Sequence, residues 1–343
     1  MYLLEMSFLS YNRINLLINR LKNLIIKINQ FKLNQSICIS IFDNNSDEKE
    51  INKLKVFLTS VSYKNHIHLF ENISNIGFPA NLQRSIRNSN GLYKWLLSDD
   101  DYLNLKFLPN IISVLKEKDI DFLSLYTVAV KNHPNEKQFE KDIFNFSKFY
   151  KPDINQFLNN KDTLDLDKNL GFISSNIIRT KLLEDSLKEI KFKNNYLLKN
   201  NYLIKAINYN VLNRITILGI IDRLPIVFQN IKYGSYFYND PFLRRKTFIF
   251  DSTEIYLYIK KLNNVQLNYK SKTFIEKKLY LNFSLWFSLK KDKLLKISDI
   301  LYVYKNSQRI YPLIILIYWL PLFILIKSRI LKNLIVFKLL KNK

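Results

Sequence analysis

Three consecutive aspartates, Asp99, Asp100 and Asp101, follow an apolar run and Ser98, and their types and spacing could support chemistry. Adjacent carboxylates repel one another and raise their own pKa values, so a neutralising cation is the simplest reason to keep them together. Alternation in an extended turn would aim Asp99 and Asp101 to the same side. A hard divalent ion held there could clamp a diphosphate leaving group. The alternative is a solvated acidic turn before the helix predicted near Leu105.

Two further polar loops follow predicted strands. Asp43 and Asn44 open an Asp-Asn-Asn-Ser turn, and an Asp or Asn there could bind the imide edge of a pyrimidine through one acceptor and one donor. Tyr11 and Arg13 follow the first predicted strand and offer an aromatic face for stacking and a cation for phosphate. Such turns also occur without any ligand, and Arg13 is equally compatible with a surface position where a helix starts.

Any metal in this chain must be held by oxygen ligands. The sequence has one cysteine, Cys38, and three histidines, which is too few for a Cys/His zinc site. Carboxylate ligands favour Mg²⁺ or Mn²⁺. A lone cysteine cannot form an intramolecular disulfide, and the N-terminus has neither a basic region nor a small-residue cleavage site. These features favour a reducing, cytoplasmic compartment.

Alternating strands and helices are predicted to position the polar loops. The predicted strands cover residues 2–9, 36–42, 67–70, 93–97 and 121–130, and the predicted helices cover 14–28, 51–58 and 105–116, with another beginning near Pro79. This alternation predicts an α/β fold with a mostly parallel, Rossmann-like sheet covered on both faces. Ligands of such sheets bind beyond the carboxyl ends of the strands, where all three polar loops would lie.

The alternation is lost after about residue 134. Residues 177–187, 194–213 and 274–289 have helical spacing, and 215–228 contains short β-like runs. Residues 311–326 are apolar and uncharged, and 327–343 continue as a basic amphipathic segment. The apolar run is short for a span, which needs about 20 residues. We therefore expect a core at 1–130, a second region at 131–306 and a membrane-associating tail at 307–343, although the tail could instead pack on the protein body.

The composition indicates an ordered protein with an anionic partner. Lys and Arg number 53 against 29 Asp and Glu, which gives a net charge of +24, and 48% of the residues are hydrophobic. The hydrophobic fraction excludes a disordered chain. The charge is compatible with nucleic acid, nucleotide phosphates or an anionic membrane. A proteome biased toward Lys, Asn and Ile would also produce it without any ligand. No Asp or Glu occurs from residue 310 onward.

Four blocks in residues 1–130 resemble the family 2 glycosyltransferases, which have the GT-A nucleotide-sugar fold. The blocks are a strand followed by Tyr-Asn-Arg, a strand followed by Asp-Asn-Asn-Ser, Asn75-x-Gly77-x-x-x-Asn81, and Gly91-x-Tyr93 leading through an apolar strand to the three aspartates. Residues 171–183 resemble the acceptor-side segment of the abequosyltransferase-like subgroup, which acts in surface-polysaccharide synthesis. The resemblance therefore implies that region 131–306 is the acceptor side.

The resemblance implies a role for each matching residue. The implied nucleotide-sugar-binding residues are Tyr11, Arg13, Asp43, Asn44, Asn81 and Asp99. Asp100 would bind the Mg²⁺ or Mn²⁺ ion, and Asp101 would assist it. Asp185, in the pair Glu184-Asp185, is the implied general base. Many members have an Asp where this chain has Ser98, so the division of labour among the three carboxylates is left open.

The resemblance also implies inverting transfer from a nucleotide diphosphate sugar to a hydroxyl of a glycan or lipid-linked acceptor. Such a site needs a base on one face and neutralised phosphates on the other. A lipid-linked acceptor at the inner-membrane surface would explain the basic tail, so we expect a peripheral protein on the cytoplasmic face. The alternatives are a nucleotidyltransferase and a non-catalytic protein that binds nucleic acid or anionic lipid. Nucleic acid is disfavoured because the chain lacks the common nucleic-acid-binding signatures.

Overall fold

The computed structural model describes residues 1–130, 148–151, 172–189, 202–212, 214–222 and 226–230. The predicted helix at 274–289, the predicted tail at 307–343 and much of the region 131–306 lie outside these residues. No helix in the described ranges is long and apolar enough to cross a membrane.

A mostly parallel sheet is the centre of the described part of the chain. Its eight strands are β1 (Tyr2–Ser10), β2 (Ile37–Asp43), β3 (Ile67–Glu71), β4 (Gly91–Ser98), β6 (Phe122–Leu125), β8 (Lys148–Tyr150), β9 (Asn176–Arg179) and β10 (Leu218–Asp222). Their spatial order is β3-β2-β1-β4-β9-β6-β10-β8. Strand β9 is antiparallel to β4 and β6, and β8 is antiparallel to β10. A second sheet contains β5 (Tyr102–Leu103), β7 (Thr127–Val130) and β11 (Val227–Asn230).

Helices follow the strands as the sequence predicts for the first half of the chain. They are α1 (Ile14–Gln30), α2 (Glu48–Ser60), α3 (Gly77–Arg87), α4 (Leu108–Glu117), α5 (Thr180–Glu189) and α6 (Tyr202–Leu212). The apolar stripe of α1 is buried along its length. All seven residues of β2 are buried, so both faces of this strand are covered, as a parallel sheet requires. The α/β prediction is confirmed.

Two element predictions are wrong. The segment predicted as a helix over 177–187 begins instead with β9, and helix α5 starts only at Thr180. Ile177 and Ile178 are buried between β4 and β6, and an apolar pair of this length has no period that separates strand from helix. The strand predicted at 121–130 is two strands, β6 and β7, which belong to different sheets.

The register of the parallel strands brings the polar loops to one edge. In the pairing of β1 with its neighbours, Ser10 lies opposite Asp43 of β2, and Leu9 lies opposite Ser98 of β4. The three strands therefore end at the same level. The Asn44 N–H donates to the Ser10 carbonyl at 2.9 Å and continues the pairing into the loops.

Candidate functional site

The loops after β1 and β2 are joined by hydrogen bonds. The Asn12 N–H donates to Ser46 Oγ at 2.8 Å, and the Asp47 N–H donates to Asn12 Oδ1 at 2.9 Å. Asn12 and Asn45 have φ angles of 53° and 65°, a left-handed conformation that asparagine tolerates better than most residues. The asparagines therefore allow both turns to form and hold them against each other.

Arg13 lies between two of the three aspartates. Its Nη2 is 2.6 Å from Asp99 Oδ1, and its Nη1 is 2.7 Å from Asp100 Oδ2. Ser10 Oγ donates to the second oxygen of Asp99 at 2.9 Å. The Arg13 side chain is 32% exposed, whereas Asp99 is completely buried. The guanidinium is therefore the counter-ion of both carboxylates and still reaches solvent.

Burial dominates the electrostatics of Asp99. Complete burial raises the pKa of Asp99 to about 7, even though the Arg13 guanidinium lowers it, and the Asp100 carboxylate adds to the increase. Asp99 Oδ1 has the Arg13 ion pair but accepts no hydrogen bond from the described residues. A buried carboxylate in this position needs a nearby positive charge to remain ionised.

The third aspartate points to a different partner. Asp101 Oδ2 accepts a hydrogen bond from Ser174 Oγ at 2.5 Å, whereas Asp100 Oδ1 accepts one from Ser98 Oγ. Asp99 and Asp100 lie in a turn and share Arg13 as a partner, so the alternation used to predict that Asp99 and Asp101 face the same side does not apply to them. Alternation applies to extended backbone only.

Ser174 connects the distant segment 172–176 to the aspartate loop. Besides its bond to Asp101, Ser174 Oγ accepts a hydrogen bond from the Ser98 N–H at 3.1 Å, and the Ser174 carbonyl accepts one from Trp95 Nε1 at 2.7 Å. Sequence reasoning singled out this segment but not this serine. No local pattern marks it, because 73 residues separate Ser174 from Asp101.

Asp43 has both carboxylate oxygens engaged within its own turn. Oδ2 accepts from the Ser46 N–H at 2.8 Å, and Oδ1 accepts from Ser46 Oγ at 2.5 Å. This is the Asx-turn geometry that stabilises such loops without a ligand. The structure therefore shows that Asp43 shapes the loop, and contact with a nucleotide stays a prediction.

Asn44, Asn72, Asn75 and Asn81 form an amide cluster at the end of β2. Asn44 Nδ2 donates to Asn75 Oδ1 at 2.8 Å. Asn72 Nδ2 lies 3.0 Å from Asn44 Oδ1 and 3.1 Å from Asn81 Oδ1. Asn81 Nδ2 donates to the Phe42 carbonyl at 2.9 Å. The cluster holds the loop after β3 against β2, a role the sequence did not reveal for Asn72. Nucleotide binding by Asn44 and Asn81 stays a prediction.

Tyr11 is the aromatic side chain exposed beside these loops. It is 43% exposed, and Ile76 and Phe78 from the loop and helix after β3 are also partly exposed. An exposed ring next to a buried polar cluster suits stacking against a planar ligand. Contact of Tyr11 with a nucleotide base stays a prediction.

Asp185 is not brought into this group. It lies in α5, which begins with Thr180, and Thr180 Oγ1 donates to the carbonyl of Gly91, the first residue of β4. The three aspartates follow the last residue of the same strand. Asp185 forms ion pairs with Lys181 at 3.2 Å and Lys188 at 3.4 Å, and its hydrogen bond with Lys181 contributes most to lowering its pKa. Its described contacts are those of a helix-surface residue.

The residues present suit a hard cation by type. Carboxylate and hydroxyl oxygens are the donors that Mg²⁺ and Mn²⁺ prefer, and Asp99 Oδ1 is a buried oxygen that accepts no hydrogen bond from the described residues. Within the described ranges, no group of three or more His, Cys, Asp or Glu side chains is gathered around one point. Metal binding by Asp100 and Asp101 therefore stays a prediction.

Residues 9–178 match the family model described as Glycosyl transferase family 2. This span begins at the end of β1 and includes every loop described above. The match supports a family 2 glycosyltransferase. It agrees with the resemblance carried by the four sequence blocks, while the abequosyltransferase-like subgroup stays a prediction. No curated protein matches the chain at a significant level.

Solved structures with the same fold include TarS 1–349 from S. aureus. TarS 1–349 is 15% identical, with a TM-score of 0.58, and the match covers 87% of this chain and 76% of that one. The complex of TarS 1–349 with UDP has 15% identity, the same coverages and a TM-score of 0.56. The complex with UDP-GlcNAc has 14% identity, coverages of 84% and 73% and a TM-score of 0.55. At this identity the likeness establishes the fold.

Proposed function

We propose that this protein is a glycosyltransferase that transfers a sugar from a nucleotide diphosphate sugar to a hydroxyl group. The observation that carries the proposal is the pairing of Arg13, from the loop after β1, with Asp99 and Asp100, from the loop after β4, within the span that matches the family 2 model. A parallel sheet places ligand-binding loops at this edge. The fold shared with TarS, which has been solved with UDP and UDP-GlcNAc, supports a nucleotide-sugar donor.

We assign the nucleotide of the donor to the sheet edge at the ends of β1, β2 and β4. Tyr11 stacks on the base, and Asp43 and Asn44 face the base and ribose from a turn that is already rigid. Three carboxylates alone would repel a diphosphate, so bound donor requires positive charge. Arg13 supplies part of that charge from a position within reach of solvent.

The proposed reaction is an inverting transfer of the sugar. The acceptor oxygen forms a bond to the anomeric carbon while the bond to the diphosphate breaks, and the acceptor proton passes to a base. When bound, Mg²⁺ or Mn²⁺ would neutralise charge on the leaving diphosphate, with Asp100 and Asp101 as its proposed ligands. Asp185 is not part of this proposal, because its helix starts at the other end of β4.

The proposed acceptor is inferred from the sequence. We assign a glycan or lipid-linked hydroxyl at the cytoplasmic membrane surface, because the segment from residue 310 onward combines a long apolar run with basic residues and no acidic ones.

Product analysis and ligand-induced stabilisation test the proposal. A panel of nucleotide sugars, with and without Mn²⁺, is expected to raise the melting temperature of the full-length protein for at least one donor. That donor should release a nucleoside diphosphate. Release of pyrophosphate would instead indicate a nucleotidyltransferase, and no stabilisation by any donor would contradict the proposal.

A matched pair of substitutions localises the activity. We expect Asp100→Asn to lower the turnover of the donor by about 100-fold or more, because it removes a carboxylate proposed to hold the cation that neutralises the leaving diphosphate. Asp119→Asn is the control: Asp119 is exposed at a φ of 47°, which asparagine tolerates, and it lies in the loop before β6. Equal activity of the two variants would contradict the site.

A further inference from the structure

Arg13 is fixed in its backbone, and its side chain is partly exposed. Its carbonyl accepts hydrogen bonds from the N–H groups of Leu16 at 3.0 Å and Leu17 at 3.1 Å, so it forms the first turn of α1. The preceding Asn12 is tied to the loop after β2. The side chain, by contrast, is about one third exposed while its guanidinium contacts two carboxylates. The residue can therefore change partners without moving the loop.

Arg13 already offsets part of the charge of the aspartate pair without any ligand. Asp99 and Asp100 each direct one oxygen to Arg13 and the other to a serine hydroxyl, from Ser10 and Ser98 respectively. A divalent ion approaching this pair would meet the positive charge of Arg13 a few ångströms away, and the repulsion weakens its binding. The pair is therefore a weaker cation site while Arg13 stays in place.

A diphosphate changes this balance because it gives Arg13 a second acceptor. Guanidinium groups bind phosphate oxygens through paired hydrogen bonds of the same kind they make with carboxylates. If Arg13 turns to the diphosphate, Asp99 Oδ1 and Asp100 Oδ2 lose their partner together. Since a buried carboxylate without a counter-ion is costly, the release of Asp99 and Asp100 favours binding of another cation beside them, with Asp100 and Asp101 as its proposed ligands.

We propose that Arg13 is the resident counter-ion of Asp99 and Asp100 and exchanges these carboxylates for the diphosphate of the donor, so that a divalent cation binds tightly only when the nucleotide is present. Arg13 acts here as a positioning residue for the aspartates. The inference deepens the proposed function and depends on it, because the diphosphate is the group that draws Arg13 away.

Direct Mn²⁺ binding to the full-length protein tests this exchange without relying on turnover. Electron paramagnetic resonance measures free Mn²⁺ with and without UDP. The wild-type protein is expected to bind Mn²⁺ at least about tenfold more weakly without UDP than with it. Arg13→Met should bind Mn²⁺ at least about tenfold more tightly than the wild type when UDP is absent, and its dependence on UDP should shrink.

Two further variants complete the test. Arg87→Met removes the same charge from the exposed last turn of α3 and should behave like the wild type. Arg13→Lys keeps the charge but not the paired geometry, so its Mn²⁺ affinity without UDP should fall between those of the wild type and Arg13→Met. Arg13→Lys also tests the exchange if Arg13→Met fails to fold.

The outcomes separate this inference from the proposed function. Equal Mn²⁺ affinity of the wild type and both Arg13 variants without UDP overturns the exchange, even if nucleotide sugars still stabilise the protein. Tight Mn²⁺ binding to the wild type without UDP also overturns it. Failure of every nucleotide sugar to stabilise the protein contradicts the proposed function itself.

Discussion

At the scale of single residues, the buried charged side chains lie close to groups of opposite charge. Glu5 of β1 and Lys94 of β4 are both completely buried and form an ion pair of 2.8 Å. Glu5 also accepts hydrogen bonds from Ser7 Oγ, Ser89 Oγ and the Asn90 N–H at 2.6–2.8 Å. Burial alone would raise the pKa of Glu5, but Lys94 and these donors outweigh it and lower the pKa to about 2. Glu5 is therefore favoured as a carboxylate, while burial lowers the pKa of Lys94 against the opposing effect of Glu5.

Glu5→Gln is expected to lower the free energy of unfolding by about 3–5 kcal/mol, because it leaves the Lys94 ammonium buried without a counter-ion. Urea denaturation measures the change. The control is Glu50→Gln, which removes a partly exposed pair with Lys53 on the surface of α2 and should cost less than about 0.5 kcal/mol. Similar losses of stability in both variants would show that the buried Glu5–Lys94 pair stabilises the fold no more than the exposed pair.

The dependence of stability on pH provides a second test of the Glu5–Lys94 pair. Because the pKa of Glu5 is lower in the folded state, its stabilising contribution is complete above its ordinary pKa of 4.5 and is lost as the pH falls toward about 2. The stability gap between the wild type and Glu5→Gln should therefore narrow as the pH falls from 5 to about 2.5. A gap that stays constant over this range would contradict the assignment.

At the scale of elements, strand β9 is the feature that sequence periodicity missed. The strand–helix alternation before residue 130 predicted β1 to β4 to within about two residues, because each long apolar run has a clear period. The run around Ile177 is too short to carry one. The sequence also predicted only part of the site. The parallel sheet predicted that three loops lie at one edge, but the pairing of Ser174 with Asp101 depends on chain folding across 73 residues.

A proline at Ile177 distinguishes the strand from the predicted helix. Proline is tolerated at the first position of a helix but removes a ladder hydrogen bond from a central strand. Since β9 lies between β4 and β6, we expect Ile177→Pro to lower the free energy of unfolding by about 3 kcal/mol or more. Ile177→Val keeps the strand and should cost only about 0.5–1.5 kcal/mol in the same urea titration. A proline variant as stable as the valine variant would contradict β9.

At the scale of the whole molecule, the net charge of +24 is not evenly distributed. The chain from residue 310 onward has basic residues and no acidic ones. These residues lie outside the described ranges, so their role rests on sequence. Basic residues near an anionic bilayer contribute about 1 kcal/mol each at low salt, and an adjacent apolar run adds to the binding.

Removal of residues 307–343 should abolish membrane association. We expect the full-length protein to float with vesicles that contain anionic lipid and the 1–306 fragment to stay in the soluble fraction. Replacing Lys332, Lys338 and Lys341 by Gln keeps the apolar run and should weaken flotation and its salt dependence without abolishing it. Full-length protein that stays soluble with anionic vesicles would contradict the tail's proposed role.

The position of β9 also has a consequence for how the protein is made. A nascent chain that ends at Val130 already contains β4 and β6 but not the strand that lies between them. Each of these strands then exposes an open edge until Arg179 has left the ribosome. During that interval the unfinished sheet exposes strand edges that can pair with other chains.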